Sequence, residues 1–228
     1  MKLTLNKFKK ILHLKKKFNF NDFDLITNYG LFSGDSNLYK TLVLFNLIKE
    51  VQNIKGDIIE LGVHNGNTSL LIKKILDIFK INKKLYLLDH FKGLTNFQKK
   101  DTLWSLRQRG KYVGSKKKIL SFINFFRFKK IFIIDKDAVL LKPNFFNHKV
   151  KFALAYFDMD LYLPTLKGLQ AIDKNMNKGS YIVFDQGTKK NWAERLAINN
   201  FLKNNKKYKK IIINKKRQPD VFLKKIQN

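Results

Sequence analysis

The sequence contains no cysteine and only three prolines, and it has no long apolar run. Without cysteine, the chain forms neither disulfide bonds nor thiolate metal sites. No stretch approaches the roughly 20 consecutive apolar residues that span a bilayer. Lysines also interrupt the first 20 residues, which excludes the apolar core of a signal peptide. We therefore expect a cytoplasmic protein that is at most attached to a membrane surface.

Acidic residues are scarce as well, since 17 Asp and Glu stand against 47 Lys and Arg and give a net charge of +30. Such a charge attracts nucleic acid, anionic lipid and phosphorylated molecules. However, nearly all the basic residues are lysine, and they are enriched along the whole chain together with Asn, Ile and Phe, as AT-rich codons produce. The charge therefore favours an anionic substrate without identifying it.

The apolar content is high enough for a full core, because 44% of the 228 residues are hydrophobic and 21 are Phe. No internal repeat and no Gly/Ser- or Pro-rich linker divides the chain. We predict an N-terminal helical extension over residues 1–52 and one α/β domain over residues 53–228. Within the extension, we predict a basic amphipathic helix over residues 1–20 and a second helix over residues 36–51.

The first of these helices has two interpretations. Its basic face fits docking on nucleic acid or on a membrane surface. Alternatively, its apolar stripe packs against the domain or against a second subunit, and we favour this packing role. Peripheral membrane contact through the basic N-terminus and a homo-oligomer are both expectations about partners.

From residue 57 onward, short apolar runs alternate with stretches of helical periodicity, which is the pattern of a mostly parallel sheet flanked by helices. The predicted strands are residues 57–62, 84–89, 130–135, 152–158, 181–185, 209–214 and 220–226. The predicted helices are residues 67–79, 97–109, 116–126, 163–176 and 193–204. Gly179 is predicted to end the fourth of these helices before the fifth strand.

Several predicted strands end in acidic residues, although the chain has few of them. Glu60, Asp89, Asp135, Asp158 and Asp185 lie at or beside the carboxyl ends of five strands. In open parallel sheets, ligands bind outside these ends. We therefore expect a ring of carboxylates around one crevice, which is the candidate functional site.

The turn after the first strand has glycines at G-x-x-x-G spacing, Gly62 and Gly66, preceded by Glu60. Glycine lets the backbone approach a ligand closely, and the helix that follows offers free N–H groups. A dinucleotide site has G-x-G-x-x-G beneath a pyrophosphate, which Glu60 would repel. Glu60 suits an α-ammonium group instead, or forms a salt bridge with a lysine. Asp89 is placed to accept hydrogen bonds from a ribose diol, and Asp137 from an adenine amino group.

Four segments of the chain resemble motifs of the macrocin O-methyltransferase (TylF-like) family of class I methyltransferases, in order and spacing over roughly residues 30–205. They are Gly56-Asp-Ile-Ile-Glu-Leu-Gly-Val-His-Asn-Gly-Asn-Thr-Ser69, Leu88-Asp-His-Phe-Lys-Gly-Leu94, Phe157-Asp-Met-Asp-Leu-Tyr-Leu-Pro-Thr165 and Lys178-Gly-Ser-Tyr-Ile-Val-Phe-Asp-Gln186. The resemblance implies a Rossmann-like fold with a mostly parallel seven-stranded sheet. It also implies S-adenosylmethionine as methyl donor, often Mg²⁺, and sugar hydroxyls as acceptors.

The motifs and the strand-end acids together give a predicted donor-binding set. It comprises Glu60, Gly62, His64, Gly66, Thr68, Ser69, Asp89, His90, Asp137 and Asp158. Within this set, His64 is expected to do no more than line the pocket.

A metal site is predicted where two strands end side by side. Asp158 and Asp185 supply carboxylates and Gln186 an amide oxygen, and these hard donors suit Mg²⁺. The family has a second acid at the position of Gln186. Because the Gln186 amide is neutral, the site has one negative charge fewer and binds a metal more weakly. Alternatively, Gln186 indicates that the metal has been lost.

Four residues are candidates for catalysis at the acceptor hydroxyl: Asp158, Asp160, His90 and Glu194. Asp160 lies in the third motif and alternatively braces its loop. His90 is a side chain of the type that titrates near neutral pH, and alternatively it is a structural polar residue. Glu194 lies in a segment similar to the family's W-x-G-E-T, but both neighbours depart from that pattern, which puts its role in orienting the acceptor in doubt.

The leading hypothesis is an S-adenosylmethionine-dependent O-methyltransferase that acts on a sugar, either nucleotide-linked or in a surface glycan, with a divalent metal. The alternatives are an RNA or DNA methyltransferase that uses the basic surface, another small-molecule O-methyltransferase, and a non-catalytic scaffold on anionic polymers. Nucleic acid is disfavoured as substrate because the chain has no Asn/Asp-Pro-Pro-aromatic motif for a target base. A scaffold is disfavoured because it has no need of the strand-end acids.

Overall fold

The computed structural model describes residues 9, 12–27, 34–189 and 192–227. Contacts divide the chain into two units, Met1–Lys40 and Thr41–Asn228. In the first unit, residues 12–17 are helical and α1 spans Asp22–Thr27. The remainder of the helix predicted over residues 1–20 lies largely outside the described residues. The predicted domain division after residue 52 stays a prediction.

The second unit is built on a seven-stranded sheet. Its strands are β1 (Asp57–Leu61), β2 (Leu85–Asp89), β3 (Ile131–Asp135), β4 (Phe152–Phe157), β5 (Met176–Phe184), β6 (Tyr208–Ile212) and β7 (Val221–Lys225). Their order is β3-β2-β1-β4-β5-β7-β6, and β7 is antiparallel to both of its neighbours. All six residues of β4 are buried, as expected for a central strand covered on both faces.

Helices cover both faces of this sheet. They are α2 (Asp35–Glu50), which begins in the first unit, α3 (Asn67–Ile78), α4 (Leu103–Leu106), α5 (Lys116–Phe125), α6 (Tyr162–Ile172) and α7 (Ala193–Lys203). One apolar cluster joins α2, α3 and α5 to the sheet, and a second joins α6 and α7 to the opposite face. In α3, for example, Ile72, Ile75 and Leu76 recur at three- and four-residue spacing and are buried.

Two predicted helices differ from the structure. The helix predicted over residues 97–109 is reduced to α4, because the Asp101 carboxylate accepts the amide of Gln98 and holds the preceding residues in a turn, and because Thr102 caps the helix. The helix predicted over residues 163–176 ends earlier, and β5 begins at Met176. Gly179 does not end a helix but lies within β5 at φ +86°, where the four residues 177–180 of β5 lie opposite the single residue Ala153 of β4 as a bulge.

The predicted Rossmann-like architecture, a mostly parallel seven-stranded sheet flanked by helices, is confirmed. In the part of the chain that the structure describes, none of the helices has the length and apolarity to cross a membrane.

Candidate active site

The carboxyl ends of β1, β4 and β5 lie level with one another at one edge of the sheet. The Asp158 amide donates to the Leu61 carbonyl at 2.9 Å, and the Asp185 amide donates to the Phe157 carbonyl at 2.9 Å. Each acid therefore follows its strand at the same height. The sequence predicted that the acids at the strand ends share one edge of the sheet. This holds for β1, β4 and β5 because these parallel strands end at aligned positions.

Gly62 brings the first strand end into direct contact with the fourth. Its φ is +88°, and a Cβ added there would lie 2.0 Å from the Asp158 carbonyl oxygen. No side chain fits this space, so glycine is required both by the backbone conformation and by the close approach. The contact places the glycine turn beside Asp158.

Glu60 is buried beneath this turn and accepts a hydrogen bond from the Ser69 hydroxyl in the first turn of α3. Gly66 precedes α3 at φ +80°, and Thr68 is buried beside Ser69. The hydrogen bond ties the end of β1 to the start of α3. As a result, the amides of the helix N-terminus and the Glu60 carboxylate face the same turn.

Asp89 and Asp137 hold loops together. The Asp89 carboxylate accepts the amides of Val63 and His64, both at 2.8 Å, and the amide of Phe91 at 2.7 Å. The Asp137 carboxylate accepts the Val139 amide at 3.0 Å, where it caps a short 3-10 helix, and it also accepts the side-chain amide of Asn96. The predicted contacts of these two acids with ribose and adenine stay predictions.

The two histidines of the motifs differ in their surroundings. The Nδ1 atom of His90 accepts the Lys92 amide at 2.9 Å, and its Nε2 atom lies 3.2 Å from the Thr95 hydroxyl. A base must offer an unprotonated nitrogen to the substrate, and the unprotonated nitrogen of His90 is already engaged within its own loop. His64 is exposed, and the edge of its ring packs against Tyr112.

The acids after β4 and β5 form one electrostatic cluster. Burial raises the pKa of Glu194 well above its ordinary value, and the charges of Asp160, Asp158 and Asp185 raise it further. Burial, with the charges of Asp185 and Asp158, likewise raises the pKa of Tyr156, whose hydroxyl donates to Asp185 at 2.6 Å. The Tyr156 hydroxyl therefore stays protonated and remains a hydrogen-bond donor to Asp185.

Asp135 is the strand-end acid that lies apart from this cluster. Its side chain is about half exposed and pairs with Lys116 at 3.1 Å. The expected ring of carboxylates is therefore incomplete at β3, since the acid there faces solvent at the sheet edge.

Glu194 connects the two loops that carry the clustered acids. One carboxylate oxygen accepts the amides of Met159 at 2.8 Å and Asp160 at 3.2 Å, and the other accepts the amide of Gln186 at 3.1 Å. The side chain is 1% exposed. These contacts make Glu194 a positioning residue, because all of them go to the backbone of the loops that bear Asp160 and Gln186.

Replacing Glu194 with alanine should lower kcat about a hundredfold and the free energy of unfolding by about 3 kcal/mol, because three backbone amides lose their acceptor. Steady-state kinetics and urea unfolding measure the two effects. Asp220→Ala is the matched control, since Asp220 is also buried and accepts the amides of Gly187 and Thr188. Equal losses of kcat in both variants would contradict a specific role of Glu194 in positioning Asp160.

The segment over residues 101–114 covers the acid cluster. The Asp101 carboxylate accepts the Tyr162 amide at 2.8 Å, and the Ser105 hydroxyl donates to the Asp160 carbonyl at 3.4 Å. At its other end, a Cβ added to Gly114 would lie 2.3 Å from the His64 carbonyl oxygen. The segment therefore contacts both the glycine turn after β1 and the loop after β4.

Aromatic side chains line the outer rim of the site. Trp104 stacks on Trp192, with ring centroids 5.9 Å apart and planes 11° from parallel. Trp104 is 44% exposed, and the Lys189 ammonium lies 4.5 Å from the Trp192 ring centroid. The charges of Asp160 and Asp158 also act on the Tyr112 hydroxyl and, with burial, raise its pKa. The rim therefore offers aromatic faces, a cation and a neutral hydroxyl.

Tyr156, Tyr112 and the pairing of the two tryptophans were not predicted from the sequence. Tyr156 lies inside an apolar strand, and the periodicity of that strand does not show that its hydroxyl reaches Asp185. Trp104 lies within residues 97–109, which were predicted as helix, and Tyr112 lies beyond them. Trp192 could have been found from the sequence, because it lies two residues before Glu194 in the segment that resembles the family's W-x-G-E-T.

The described residues contain no group of three or more His, Asp or Glu side chains arranged to hold a metal ion. Asp158, Asp185 and Gln186 supply two carboxylates and one amide oxygen, and the metal site predicted there stays a prediction.

A sequence profile of the macrocin-O-methyltransferase (TylF) family matches residues 41–216. The chain belongs to this family. The match includes all four motifs, and it confirms the predicted class of S-adenosylmethionine-dependent O-methyltransferase. A comparison with curated proteins by sequence gives no significant match.

Solved structures of methyltransferases share the fold. CalS11, a calicheamicin methyltransferase, is 20% identical with a TM-score of 0.80, over 96% of this chain and 91% of CalS11. The apo structure of CalS11, described as a TDP-rhamnose 3'-O-methyltransferase, is also 20% identical, with a TM-score of 0.69 over 96% and 93%. The O-methyltransferase NovP is 17% identical with a TM-score of 0.70, over 82% and 80%. At this low sequence identity, the similarity between these structures and this chain establishes the shared fold and nothing more.

Proposed function

We propose that this family member transfers the methyl group of S-adenosylmethionine to a hydroxyl of a sugar that is nucleotide-linked or part of a surface glycan. The observation that carries the proposal is the contact at Gly62, where the donor turn touches the Asp158 backbone. A donor above the turn and an acceptor beside the acid cluster would be neighbours. CalS11 methylates a TDP-linked sugar by its description, which supports this acceptor class.

The donor is assigned to the glycine turn. In this proposal the Glu60 carboxylate binds the α-ammonium group, while the amides at the start of α3 face the carboxylate of the same amino acid. Asp89 and Asp137 bind ribose and adenine through lone pairs that their loop contacts leave over. His64, Gly66, Thr68, Ser69 and His90 shape the walls.

The acceptor is assigned to the rim. A sugar ring or a nucleobase packs on an aromatic face such as Trp104. Lys189 lies at this rim beside Trp192, and Lys100, which precedes the segment over residues 101–114, donates to the Tyr162 hydroxyl at 3.0 Å. Two ammonium groups suit the diphosphate of a nucleotide-linked sugar. This fits the expected anionic substrate.

The transfer is a direct displacement. The hydroxyl oxygen bonds to the methyl carbon as the carbon–sulfur bond breaks, and the electron pair of that bond stays on sulfur to give S-adenosylhomocysteine. The hydroxyl proton passes to a carboxylate, and we assign this role to Asp160. Asp160 has φ +57°, and such strained backbone is found at functional sites. His90 and Glu194 are engaged by backbone amides.

Magnesium is a separate part of the proposal. The residues fit the ion, because Asp158 and Asp185 are hard donors whose charges act together on Glu194 and Tyr156, and a cation would offset that charge. Asp158, Asp185 and Gln186 would hold it. When bound, the ion would lower the pKa of the sugar hydroxyl.

The metal proposal predicts that Gln186→Glu binds Mg²⁺ about tenfold more tightly than the wild type, because it adds a carboxylate to the set. Calorimetry of Mg²⁺ binding measures this without any turnover. Gln170→Glu, at a position away from the strand ends, is the matched control and should leave the affinity unchanged. Absence of binding in both the wild type and Gln186→Glu would contradict the metal site.

The rim assignment predicts that Trp104→Ala and Trp192→Ala each raise the acceptor KM about tenfold, because a stacking face is lost. The donor Kd should stay within about twofold, since the assignment places both rings on the acceptor side of the site. Leu103→Ala is the control, because Leu103 is the most exposed residue of α4 and should change neither constant. A rise in the donor Kd without a change in the acceptor KM would reverse the assignment.

Radiolabelled S-adenosylmethionine tests the reaction itself. The enzyme is incubated with a pool of sugar nucleotides, with isolated glycans or with total RNA, each with and without a chelator. We expect label in a sugar fraction, and less of it with the chelator. Label in RNA alone would contradict the proposed acceptor. The cytoplasmic location, the homo-oligomer and membrane contact through the N-terminus stay predictions.

A further inference from the structure

The outer face of α5 exposes large apolar side chains that the core does not need. Ile119 and Ile123 fill the inner face and pack into the sheet cluster. On the outside, Phe125 is 77% exposed and Phe122 is 46% exposed, and Phe125 packs against the exposed Phe126 with ring centroids 5.0 Å apart. Exposed apolar residues in a contiguous patch indicate a contact surface.

The same segment is strongly basic. Residues 116–130 contain six Lys and Arg residues and no acidic residue. Lys116 pairs with Asp135, but the other five are exposed. We define the α5 patch as Lys117, Lys118, Phe122, Phe125, Phe126, Arg127, Lys129 and Lys130.

Basic and aromatic side chains share one face of the helix. Lys118, Phe122 and Phe125 follow at spacings of four and three residues, which places them on the same side. Beside them, the Lys74 ammonium of α3 lies 4.7 Å from the Phe126 ring centroid. The cations therefore surround the rings rather than lying on a separate surface.

We propose that the α5 patch docks the protein on anionic lipid bilayers. Rings that enter the boundary between headgroups and acyl chains, with lysines around them, match the chemistry of an anionic membrane surface. A second copy of the chain would place its own basic patch, which has no acidic residue, against this one, and the two patches would repel each other. Single-stranded RNA binds in grooves, whereas the outer face of a helix is convex.

Vesicle flotation with the full chain tests this proposal. The vesicles are phosphatidylcholine alone or an equal mixture of phosphatidylcholine and phosphatidylglycerol. We expect binding to the mixture only, weakened by added salt. Lys117→Glu with Lys118→Glu should weaken it at least about tenfold, since two charges are reversed near the surface. Phe122→Ser with Phe125→Ser should weaken it by a similar factor, because apolar area no longer enters the bilayer.

Two matched controls separate the patch from the general charge and from general exposure. Lys206→Glu with Lys207→Glu makes the same charge change at exposed positions, and Ile212→Ser removes an exposed apolar side chain elsewhere. Both should keep vesicle binding within about twofold, apart from the small effect of net charge. Methyl transfer to a soluble acceptor should be unchanged in every variant.

Three outcomes would overturn the proposal. The first is absence of binding to the anionic vesicles. The second is equal weakening by the patch and control variants. The third is unchanged vesicle binding in the patch variants combined with loss of RNA binding or of a dimer, which would assign the patch to RNA or to a second copy.

Discussion

Replacing Gly62 with alanine should abolish donor binding and lower the free energy of unfolding by more than about 4 kcal/mol. The new Cβ would lie 2.0 Å from the Asp158 carbonyl oxygen, and the backbone at φ +88° disfavours any side chain. The ends of β1 and β4 would have to separate, and the donor turn lies between them. Urea unfolding and calorimetry with S-adenosylhomocysteine measure the two effects.

Gly110→Ala is the matched control for this prediction. Gly110 also has a positive φ, +70°, but nothing lies within 4 Å of an added Cβ. Gly110→Ala should lower the free energy of unfolding by about 1 kcal/mol, from the backbone conformation alone. Donor binding should be unchanged. Equal effects at Gly62 and Gly110 would mean that the close approach to Asp158 does not matter.

Replacing Asp158 with alanine should lower kcat at least about a thousandfold while the donor Kd stays within about threefold. Asp158 lies at the contact between the donor turn and the acid cluster, so its loss removes both a proposed metal ligand and the charge beside the acceptor. Single-turnover methyl transfer and calorimetry separate the two constants.

Asp135→Ala provides the comparison for Asp158. Asp135 also follows a sheet strand, but it faces solvent and pairs with Lys116. Its loss should leave kcat within about twofold, because it lies apart from the cluster. Full activity in Asp158→Ala, or an equal loss in Asp135→Ala, would remove Asp158 from the mechanism.

The placement of Glu60, Asp158 and Asp185 was predictable from the sequence because it follows from sheet geometry. Parallel strands of buried apolar residues end at a common edge, so acids directly after them meet there. The glycine turn was predictable for a similar reason, since Gly62 and Gly66 lie in a local strand-to-helix connection. These features depend on residues close in sequence.

The roles of Glu194 and Tyr156 were not predictable in the same way. Glu194 reaches amides 34 and 35 residues away, and Tyr156 reaches a carboxylate on the next strand. The Glu194 contacts depend on how α7 packs beside the sheet, and the Tyr156 contact depends on the pairing of β4 with β5, which the hydrophobic pattern of either strand does not reveal. The aromatic rim was not predicted for a further reason. A helix was predicted over residues 97–109, whereas Asp101 holds a turn there and Thr102 caps a short helix.

His90 shows a different reason why a catalytic role cannot be assigned from the sequence alone. Its position after Asp89 suggested a catalytic base, yet the imidazole accepts the Lys92 amide two residues along the chain. A local contact between side chain and backbone occupies the nitrogen that a base would need. Residue type and motif position therefore identify the loop, whereas the hydrogen bonds distinguish a structural role from a catalytic one.

A crystal structure with S-adenosylhomocysteine would show how the donor is bound. We expect the amino-acid end of the product to lie against Glu60 and the start of α3, with its sulfur facing Asp158 and the acid cluster. Product bound on another surface, or with its sulfur turned away from Asp158, would contradict the proposed arrangement of donor and acceptor.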